Sequence, residues 1–357
     1  MEFASDNTSG VHPRILDALL AANAGAVASY GADPFTAAAR QALAEVFETK
    51  VEVALVTTGS AANSLALAAL VPPHGTVFCH GEAHINTDEC GAPELFTGGA
   101  KLTPVAGRAA KITPEAIARV HRNFVRGFHQ QLPAAVSITQ ATEFGAVYTA
   151  GEVAAIGAYS RAHGLHLHMD GARFANAVAS GGASPAALTW QAGVDVLSFG
   201  ATKNGAMGVE AVVFFNPALA ERFAFRVKRT GHVLSKGRFL GAQMAAYLAD
   251  GLWLDNARHA NAMATRLAAG LSPVPGVRLA TAPEANEVFA LLPRPLHEAL
   301  TAQGAHYYDW PGEGPDGGGI GPDEVLVRFV CSFLTTAEEV DRLTTLAANL
   351  ASGADAR

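Results

Sequence analysis

The chain has 357 residues, 50% of them hydrophobic and 16% charged, which is enough for two domains with a large core. Its formal net charge of −7 is against a nucleic-acid partner, because such binding depends on clustered Lys and Arg. Apolar runs end before the ~20 residues that a membrane helix needs. Three cysteines without a C-x-x-C pair and an N-terminus without a signal-peptide pattern indicate a reducing, cytoplasmic location.

Strands and helices alternate over the first two thirds of the chain. Apolar periodicity predicts helices at 13–22, 35–47 and 150–163, and an Ala-rich helix that begins near Ala61. Short apolar runs predict strands at 51–56, 76–79, 135–139, 165–169, 194–199 and 209–215. This alternation is typical of an α/β fold with a doubly wound, mostly parallel sheet.

The pattern changes after a long helix that is predicted from about Leu240 into the 260s. Short strands at 277–279, 287–291 and 325–329, followed by a helix at 335–351, predict a smaller α+β domain. We therefore expect a large domain at 1–245 and a small C-terminal domain at 246–357. The Gly-rich loop 311–321 is expected to be mobile, and the tail 351–357 to fray.

Small residues at 57–63 join a predicted strand to a predicted helix. Backbone N–H groups at such a junction can bind an anion, helped by the helix dipole. Ordinary helix N-caps have the same composition, so this segment alone indicates no function.

Residues 166–173 carry two histidines and an aspartate at alternating positions of a strand, so His166, His168 and Asp170 share a face. Their spacing leaves three interpretations open. They could bind a metal, or Asp170 could face a ligand at the carboxyl end of the strand. The histidines could also be core residues, with Asp170 as a helix cap.

Lys203 lies in a Gly-bounded turn that follows a predicted strand. Apolar surroundings would favour the neutral, nucleophilic form of its amine, although most loop lysines are solvated. An anion-binding turn, then Asp170, then Lys203 is an order that resembles fold-type I pyridoxal-phosphate enzymes.

Further motifs, in the same order along nearly the whole chain, resemble the L-threonine aldolases. The motifs are F-A-S-D-N at 3–7, Y-G-A-D-P at 30–34, T-G-S-A-A-N at 58–63, A-H at 83–84, H-M-D-G-A-R at 168–173 and V-R-F-V at 327–330. The segment S-I-T-Q-A-T-E at 137–143 is similar to the bacterial branch that includes phenylserine aldolase. The resemblance implies a carbon–carbon lyase that splits β-hydroxy-α-amino acids, such as L-threonine or phenylserine, into glycine and an aldehyde.

The resemblance also implies a role for each matched residue. Lys203 would hold pyridoxal phosphate covalently, Asp170 would pair with its ring nitrogen, and His84 would stack on the ring. The phosphate would be bound by Gly59, Ser60 and Ala61 with help from Thr202, and the substrate carboxylate by Arg173, Arg328 and Ser5. Arg173 would also lie beside the cofactor. Tyr30 would reach across the interface of a homodimer or homotetramer, and the basic stretch 226–238 would include a phosphate-binding side chain.

One segment departs from the family pattern. Many threonine aldolases have a histidine where this chain has Thr142. The acceptor of the β-hydroxyl proton is therefore open among His84, His129 and a bound water. The main rival function keeps the cofactor but eliminates a β-substituent or transfers the amino group, since one fold supports several reactions. The absence of G-x-G-x-x-G after the first strand is against a nicotinamide oxidoreductase.

Overall fold

The structure, a computed structural model, describes residues 1–312, 314–315 and 319–353. The predictions of a mobile loop at 311–321 and a frayed tail at 351–357 include residues 313, 316–318 and 354–357, which lie outside these ranges. Within the ranges, no helix has both the length and the apolar character that a membrane span requires.

The large sheet has seven strands in the order β1-β7-β6-β5-β4-β2-β3. Strand β7 is antiparallel to β1 and β6, and the other neighbours are parallel, which confirms a mostly parallel sheet. The alternation pattern does not reveal the reversal of β7, which follows because residues 201–209 are too few for a parallel crossover. The strands are β1 (Glu52–Val56), β2 (Gly75–His80), β3 (Lys101–Val105), β4 (Leu132–Thr139), β5 (His166–Gly171), β6 (Val196–Gly200) and β7 (Glu210–Phe214).

Helices cover both faces of this sheet, because alternate strand residues point to opposite sides. In β6, Leu197 and Phe199 pack into the core under α1, α2, α7, α8 and α11, whereas Val196 packs into the core under α3 and α10. The helices are α1 (Pro13–Ala22), α2 (Pro34–Val46), α3 (Gly59–Leu70), α4 (His84–Thr87), α5 (Ala92–Thr97), α6 (Pro114–His121), α7 (Ala150–Ala162), α8 (Phe174–Gly181), α9 (Pro185–Leu188), α10 (Phe223–Arg229) and α11 (Arg238–Leu248).

A second, antiparallel sheet of four strands has the order β10-β11-β9-β8 and its own apolar core. Its strands are β8 (Arg278–Leu279), β9 (Glu287–Pro293), β10 (Tyr308–Asp309) and β11 (Glu324–Val330), and its helices are α12 (Leu252–Leu271), α13 (Arg294–Ala302) and α14 (Ala337–Ser352). The predicted smaller α+β region is therefore confirmed, while its boundary at 245/246 stays a prediction.

The prediction of one long helix from Leu240 into the 260s is wrong. Helix α11 ends at Leu248 and α12 begins at Leu252. Between them, Asp250 has φ 52° and Gly251 has φ 74°, both in the left-handed region that ends a right-handed helix. The sequence does not predict strands β3 and β10 or the short helices α4, α5, α6, α8, α9, α10 and α13, since short elements carry little periodic signal.

Strands β1, β4, β5 and β6 all end at one edge of the large sheet. In the register, Thr139 lies beside Asp170, and Glu210 at the start of β7 lies between Val56 and Gly200. Open α/β sheets bind ligands outside the carboxyl ends of their strands, so this edge is where a functional site is expected.

Candidate active site

A cavity of about 290 Å³ opens at this edge of the sheet. It brings together Lys203, Asp170 and His84 with the turn at the start of α3. The lining residues are Asn7, Thr57, Thr58, Gly59, Ser60, Asn63, His84, Glu89, Thr139, Ala141, Glu143, Asp170, Ala172, Arg173, Thr202, Lys203 and Glu210. Residues more than a hundred positions apart in the sequence thus meet in one recess.

Lys203 lies in a one-turn helix, Thr202–Asn204, that directly follows β6. The next residue but one, Gly205, has φ 117°, a backbone conformation that favours glycine. Asn204 fixes the turn, because its amide donates to the hydroxyl of Tyr247 (2.8 Å) and the carbonyl of Trp253 (2.7 Å). Burial and the nearby charge of Arg173 lower the pKa of Lys203, which favours a neutral, nucleophilic amine.

Asp170 is the penultimate residue of β5, and both of its carboxylate oxygens accept hydrogen bonds. Oδ1 accepts from the backbone N–H of Ala172 (3.0 Å), and Oδ2 accepts from the side-chain amide of Asn63 (2.8 Å). The side chain is 4% exposed, so its charge acts in a water-poor recess where electrostatic interactions are strong. A cationic or protonated ring group in the cavity would meet a fixed carboxylate.

The turn before α3 has the geometry of an anion site. Thr58 is the N-cap, and its hydroxyl accepts from the N–H of Ala61 (3.2 Å). The N–H groups of the first helical residues, Gly59 and Ser60, have no partner inside the helix and line the cavity. The predicted contribution of Ala61 differs in the structure, since its N–H is used by the cap and Ala61 lies behind the lining.

Thr202 and Glu210 close the cavity beside Lys203. The Thr202 hydroxyl accepts from the N–H of Val209 (3.2 Å), and a Glu210 oxygen accepts from the N–H of Ala201 (3.0 Å). Burial raises the pKa of Glu210 to about 7, against the effect of its hydrogen bonds to the turn. Glu210 therefore fixes the turn before Lys203, and its carboxyl group gains or loses a proton near pH 7.

His84 begins α4 with its side chain partly exposed toward the cavity. Nδ1 hydrogen-bonds Glu89 (2.9 Å), and the backbone N–H donates to Glu143 (2.9 Å). The hydrogen bond to Glu89 raises the pKa of His84; burial opposes it, and the charge of Asp170 adds to it. The histidine is thus held in place on both its ring and its backbone.

Arg173 reaches the cavity but is already paired with carboxylates. Nε and Nη2 donate to the two oxygens of Asp6 (2.7 and 3.1 Å), and Nη1 lies 3.5 Å from Glu287. Burial alone would raise the pKa of Asp6, but the charges of Arg173 and Lys203 outweigh it and lower this pKa. Since Asp6 occupies the Nε/Nη2 side of the guanidinium, a further anion could bind only at the opposite end, between Nη1 and Nη2.

Three predicted substrate residues lie outside the cavity lining of this single chain. Arg328 approaches Glu287 (3.6 Å) and stacks on Trp310 (4.7 Å), and the Ser5 hydroxyl accepts from the N–H of Asn7 (3.1 Å). Tyr30 lines a separate cavity of about 270 Å³, is 59% exposed, and has Lys228 over its ring at 5.2 Å.

The segment that departs from the family pattern contributes a different residue to the cavity. Thr142 is buried and donates to the carbonyl of Ala109 (2.8 Å), whereas Glu143 lines the cavity and accepts from Thr139 (2.7 Å). Burial raises the pKa of Glu143 to about 7. His129 precedes β4, at the opposite edge of the sheet, and this chain does not bring it to the site.

The three residues of the metal interpretation turn to different partners. His166 lies 3.6 Å from Asp195, and His168 is held between the hydroxyls of Ser137 (2.9 Å) and Ser198 (3.0 Å). Burial lowers the pKa of His168 to about 4, so it is a neutral core histidine. In the part of the chain that the structure describes, no group of three or more His, Cys, Asp or Glu side chains is arranged to hold a metal ion.

Comparison with known proteins places the chain in a family. The family model described as beta-eliminating lyase matches residues 2–294. This chain belongs to the beta-eliminating lyase family. A low-specificity L-threonine aldolase from Pseudomonas aeruginosa is 46% identical over 96% of this chain and 95% of its own length, and another from a Pseudomonas species is 44% identical with the same coverage. The structure of a threonine aldolase from Leishmania major matches with a TM-score of 0.91 and 29% identity, covering 98% of this chain and 99% of that one.

Sequence reasoning assigned no role to several polar residues of the site. Two of them, Asp6 and Asn63, lie inside quoted motifs, and Glu143 ends the 137–143 segment. Glu89, five residues after His84, and Glu210 had no motif to mark them. A buried carboxylate between two separated segments leaves no local pattern, and only the fold reveals it.

Proposed function

We propose that this chain is a pyridoxal-phosphate-dependent aldolase that cleaves β-hydroxy-α-amino acids to glycine and an aldehyde. The observation that carries the proposal is the meeting of Lys203, Asp170 and the N–H groups of Gly59 and Ser60 in one cavity. The low-specificity L-threonine aldolases that the chain resembles over 96% of its length support the reaction class.

The residues present fit this cofactor. An amine with a lowered pKa can bind an aldehyde covalently, and a fixed carboxylate at Asp170 can keep a ring nitrogen protonated. The free N–H groups at the start of α3 suit a phosphate, with the Thr202 hydroxyl beside them. His84 enters the same recess and can cover a ring face.

Pyridoxal phosphate, when bound, supplies the electron sink for negative charge at Cα. The end of the Arg173 guanidinium that Asp6 leaves free would hold the substrate carboxylate, with Ser5 and Arg328 nearby, and this contact sets which bond at Cα breaks. A base takes the β-hydroxyl proton as Cα–Cβ breaks and the aldehyde leaves. A proton then returns to Cα and gives glycine.

Two side chains of the cavity can take the β-hydroxyl proton, His84 and Glu143, and a water held by either could relay it. Burial raises the pKa of Glu143 to about 7, and the hydrogen bond to Glu89 raises the pKa of His84 above its ordinary value. General-base catalysis by such a group is typically worth about 10²–10⁴-fold in rate. His129 of the same chain is not a candidate, because it lies at the other edge of the sheet.

The first test replaces Lys203 with Ala and compares it with Lys101→Ala, an exposed lysine of β3. The purified parent chain and the Lys101 variant should show the visible absorbance of the bound cofactor, and the Lys203 variant should lose it together with turnover. Persistence of that absorbance in the Lys203 variant would show that another residue binds the cofactor.

The description of the family indicates a second candidate reaction, the elimination of a β-substituent. Incubation with L-threonine and with phenylserine, followed by assays for glycine, aldehyde and ammonia, separates the two. We expect glycine and aldehyde in equal amounts. Ammonia as the main product would favour elimination of the β-substituent over aldol cleavage.

We further propose that the chain works as a homodimer or homotetramer with its sites near the interface. Leu234, which is 42% exposed, lines the same cavity as Tyr30, and Phe225, which is 77% exposed, lies on α10. Light scattering of the purified protein tests this, and a mass of about 37 kDa, that of one chain, would contradict it.

A further inference from the structure

A chain of hydrogen bonds runs from His84 to Asp170 beneath the cavity. His84 Nδ1 hydrogen-bonds Glu89 Oε1 (2.9 Å), the Asn63 amide donates to the same Glu89 oxygen (2.8 Å), and that amide also donates to Asp170 Oδ2 (2.8 Å). Asn63 is 2% exposed, Glu89 5% and Asp170 4%. Water therefore does not compete for these contacts.

Each hydrogen bond between His84 and Asp170 has a defined donor and acceptor. The Asn63 amide group has two hydrogens, one for each carboxylate. A carboxylate only accepts, so the hydrogen between Glu89 and His84 belongs to Nδ1, which leaves Nε2 for the cavity. Among the described residues, Glu89 Oε2 and Asn63 Oδ1 are buried without a hydrogen-bond partner, so neither side chain is held by other polar contacts at those atoms.

We propose that Glu89 and Asn63 are positioning residues that couple the protonation of His84 to the carboxylate of Asp170. The coupling rests on the proposed function for its catalytic meaning, because His84 and Asp170 are the two side chains expected to face a bound ring. This bridge of Glu89 and Asn63 fixes the tautomer and orientation of His84 and the orientation of the Asp170 carboxylate. A change of charge at Asp170 should therefore change the protonation of His84.

The charges around His84 define the expected direction. Glu89 and Asp170 favour the imidazolium, Lys203 opposes it, and Glu143 accepts from the backbone N–H of His84. Loss of the Glu89 charge should therefore lower the pKa of His84. An opposite charge at hydrogen-bond distance typically moves a pKa by about one unit or more.

The first measurement is a histidine-selective NMR titration of the cofactor-free chain, with the His84 signal assigned from a His84→Asn variant. Glu89→Gln should lower the His84 midpoint by about one pH unit. The control Asp88→Asn, at an exposed neighbouring carboxylate, should leave it within a few tenths, and Glu89→Asp should retain most of the parent value. An unchanged midpoint in folded Glu89→Gln would overturn the proposal.

The second measurement tests the Asn63 link by a double-mutant cycle. Asp170→Asn should lower the His84 midpoint in the parent chain, and this shift should fall by at least half when Asn63→Ser is present. Asn86→Ser, at an exposed amide, is the matched control. An equal Asp170→Asn shift with and without Asn63 would mean that the two groups interact only through space, which would also overturn the proposal.

The holoenzyme gives an independent readout. In Glu89→Gln, the pH dependence of the cofactor absorbance and of kcat/KM should move to lower pH together with the NMR midpoint. If the parent chain binds no cofactor, the proposed function fails while the two titrations still decide on the bridge.

Discussion

The two ends of the cavity differ in how their side chains are held. At the sheet end, Lys203, Asp170 and the start of α3 come from the carboxyl ends of β6, β5 and β1 and leave a lysine amine and free N–H groups facing the recess. At the other end, Arg173 is paired with Asp6 from the N-terminal segment and with Glu287 from β9. The sheet alone builds the first end, whereas the second depends on packing between distant segments.

This difference shows that a matched motif predicts the position of a residue in the fold but not its contacts. Arg173 lies where the family resemblance implies, but two carboxylates already balance much of its charge. A substrate carboxylate therefore enters a region that contains negative charge of its own. Substitutions at the two ends should therefore differ in their effects on stability and on substrate binding.

Asp6→Ala should have the largest effect on stability. It leaves the Arg173 guanidinium buried without its main partner, and removal of one member of a buried pair costs about 3–5 kcal/mol in the free energy of unfolding. Urea unfolding measures it. Asp341→Ala, at the exposed pair with Arg266, is the control and should cost less than about 1 kcal/mol. Equal losses in the two variants would show that the Asp6 contact is not the anchor of this end.

Glu143→Gln should change how stability depends on pH. Burial raises the pKa of Glu143 from 4.5 to about 7, so the native state holds its proton more tightly than the unfolded chain does. The contribution is complete below about pH 4.5 and is lost as pH rises to about 7. The parent chain should therefore lose up to about 3 kcal/mol over this window relative to the variant. Parallel pH profiles of unfolding free energy in the two proteins would contradict a raised pKa.

Arg173→Lys should weaken substrate binding more than Arg328→Lys does. Lysine keeps the charge but loses the fork that binds a carboxylate through two hydrogen bonds. We expect KM for the amino acid to rise about 10–100-fold for Arg173→Lys, by analogy with the loss of a charged hydrogen bond. For Arg328, which lies outside the lining of the cavity, a rise below about 10-fold is expected. A larger effect at Arg328 would mean that the two arginines exchange roles when substrate binds.

Ser5→Ala should have the smallest effect. The Ser5 hydroxyl caps the N–H of Asn7 and lies outside the cavity lining, so its contribution is that of one neutral hydrogen bond, about 1 kcal/mol or about 5-fold in KM. Steady-state kinetics with L-threonine measure it. A loss of more than about 100-fold would place Ser5 directly on the reacting substrate.

Most of the large sheet could be predicted because buried strands leave runs of apolar residues between helical patterns. The reversal of β7 and the break at Asp250 and Gly251 could not, since both depend on short turns rather than on periodicity. In the site, Asp170 lies near the carboxyl end of a strand and Lys203 and Gly59 lie shortly after one, and these strand ends meet at one edge of the mostly parallel sheet. Glu287 comes from a segment distant from Arg173, and Glu89 lies five residues after His84 without a motif to mark it, so both contacts required the fold.

The most direct test of the central claim is chemical trapping followed by peptide mapping. The protein is incubated with pyridoxal phosphate, reduced with borohydride and digested, and the modified lysine is identified by mass spectrometry. We expect the cofactor on Lys203 in the parent chain, and a several-fold lower yield when Asp170→Asn removes the opposing charge. Modification spread over exposed lysines such as Lys101, with none at Lys203, would contradict the assignment of this cavity as the active site.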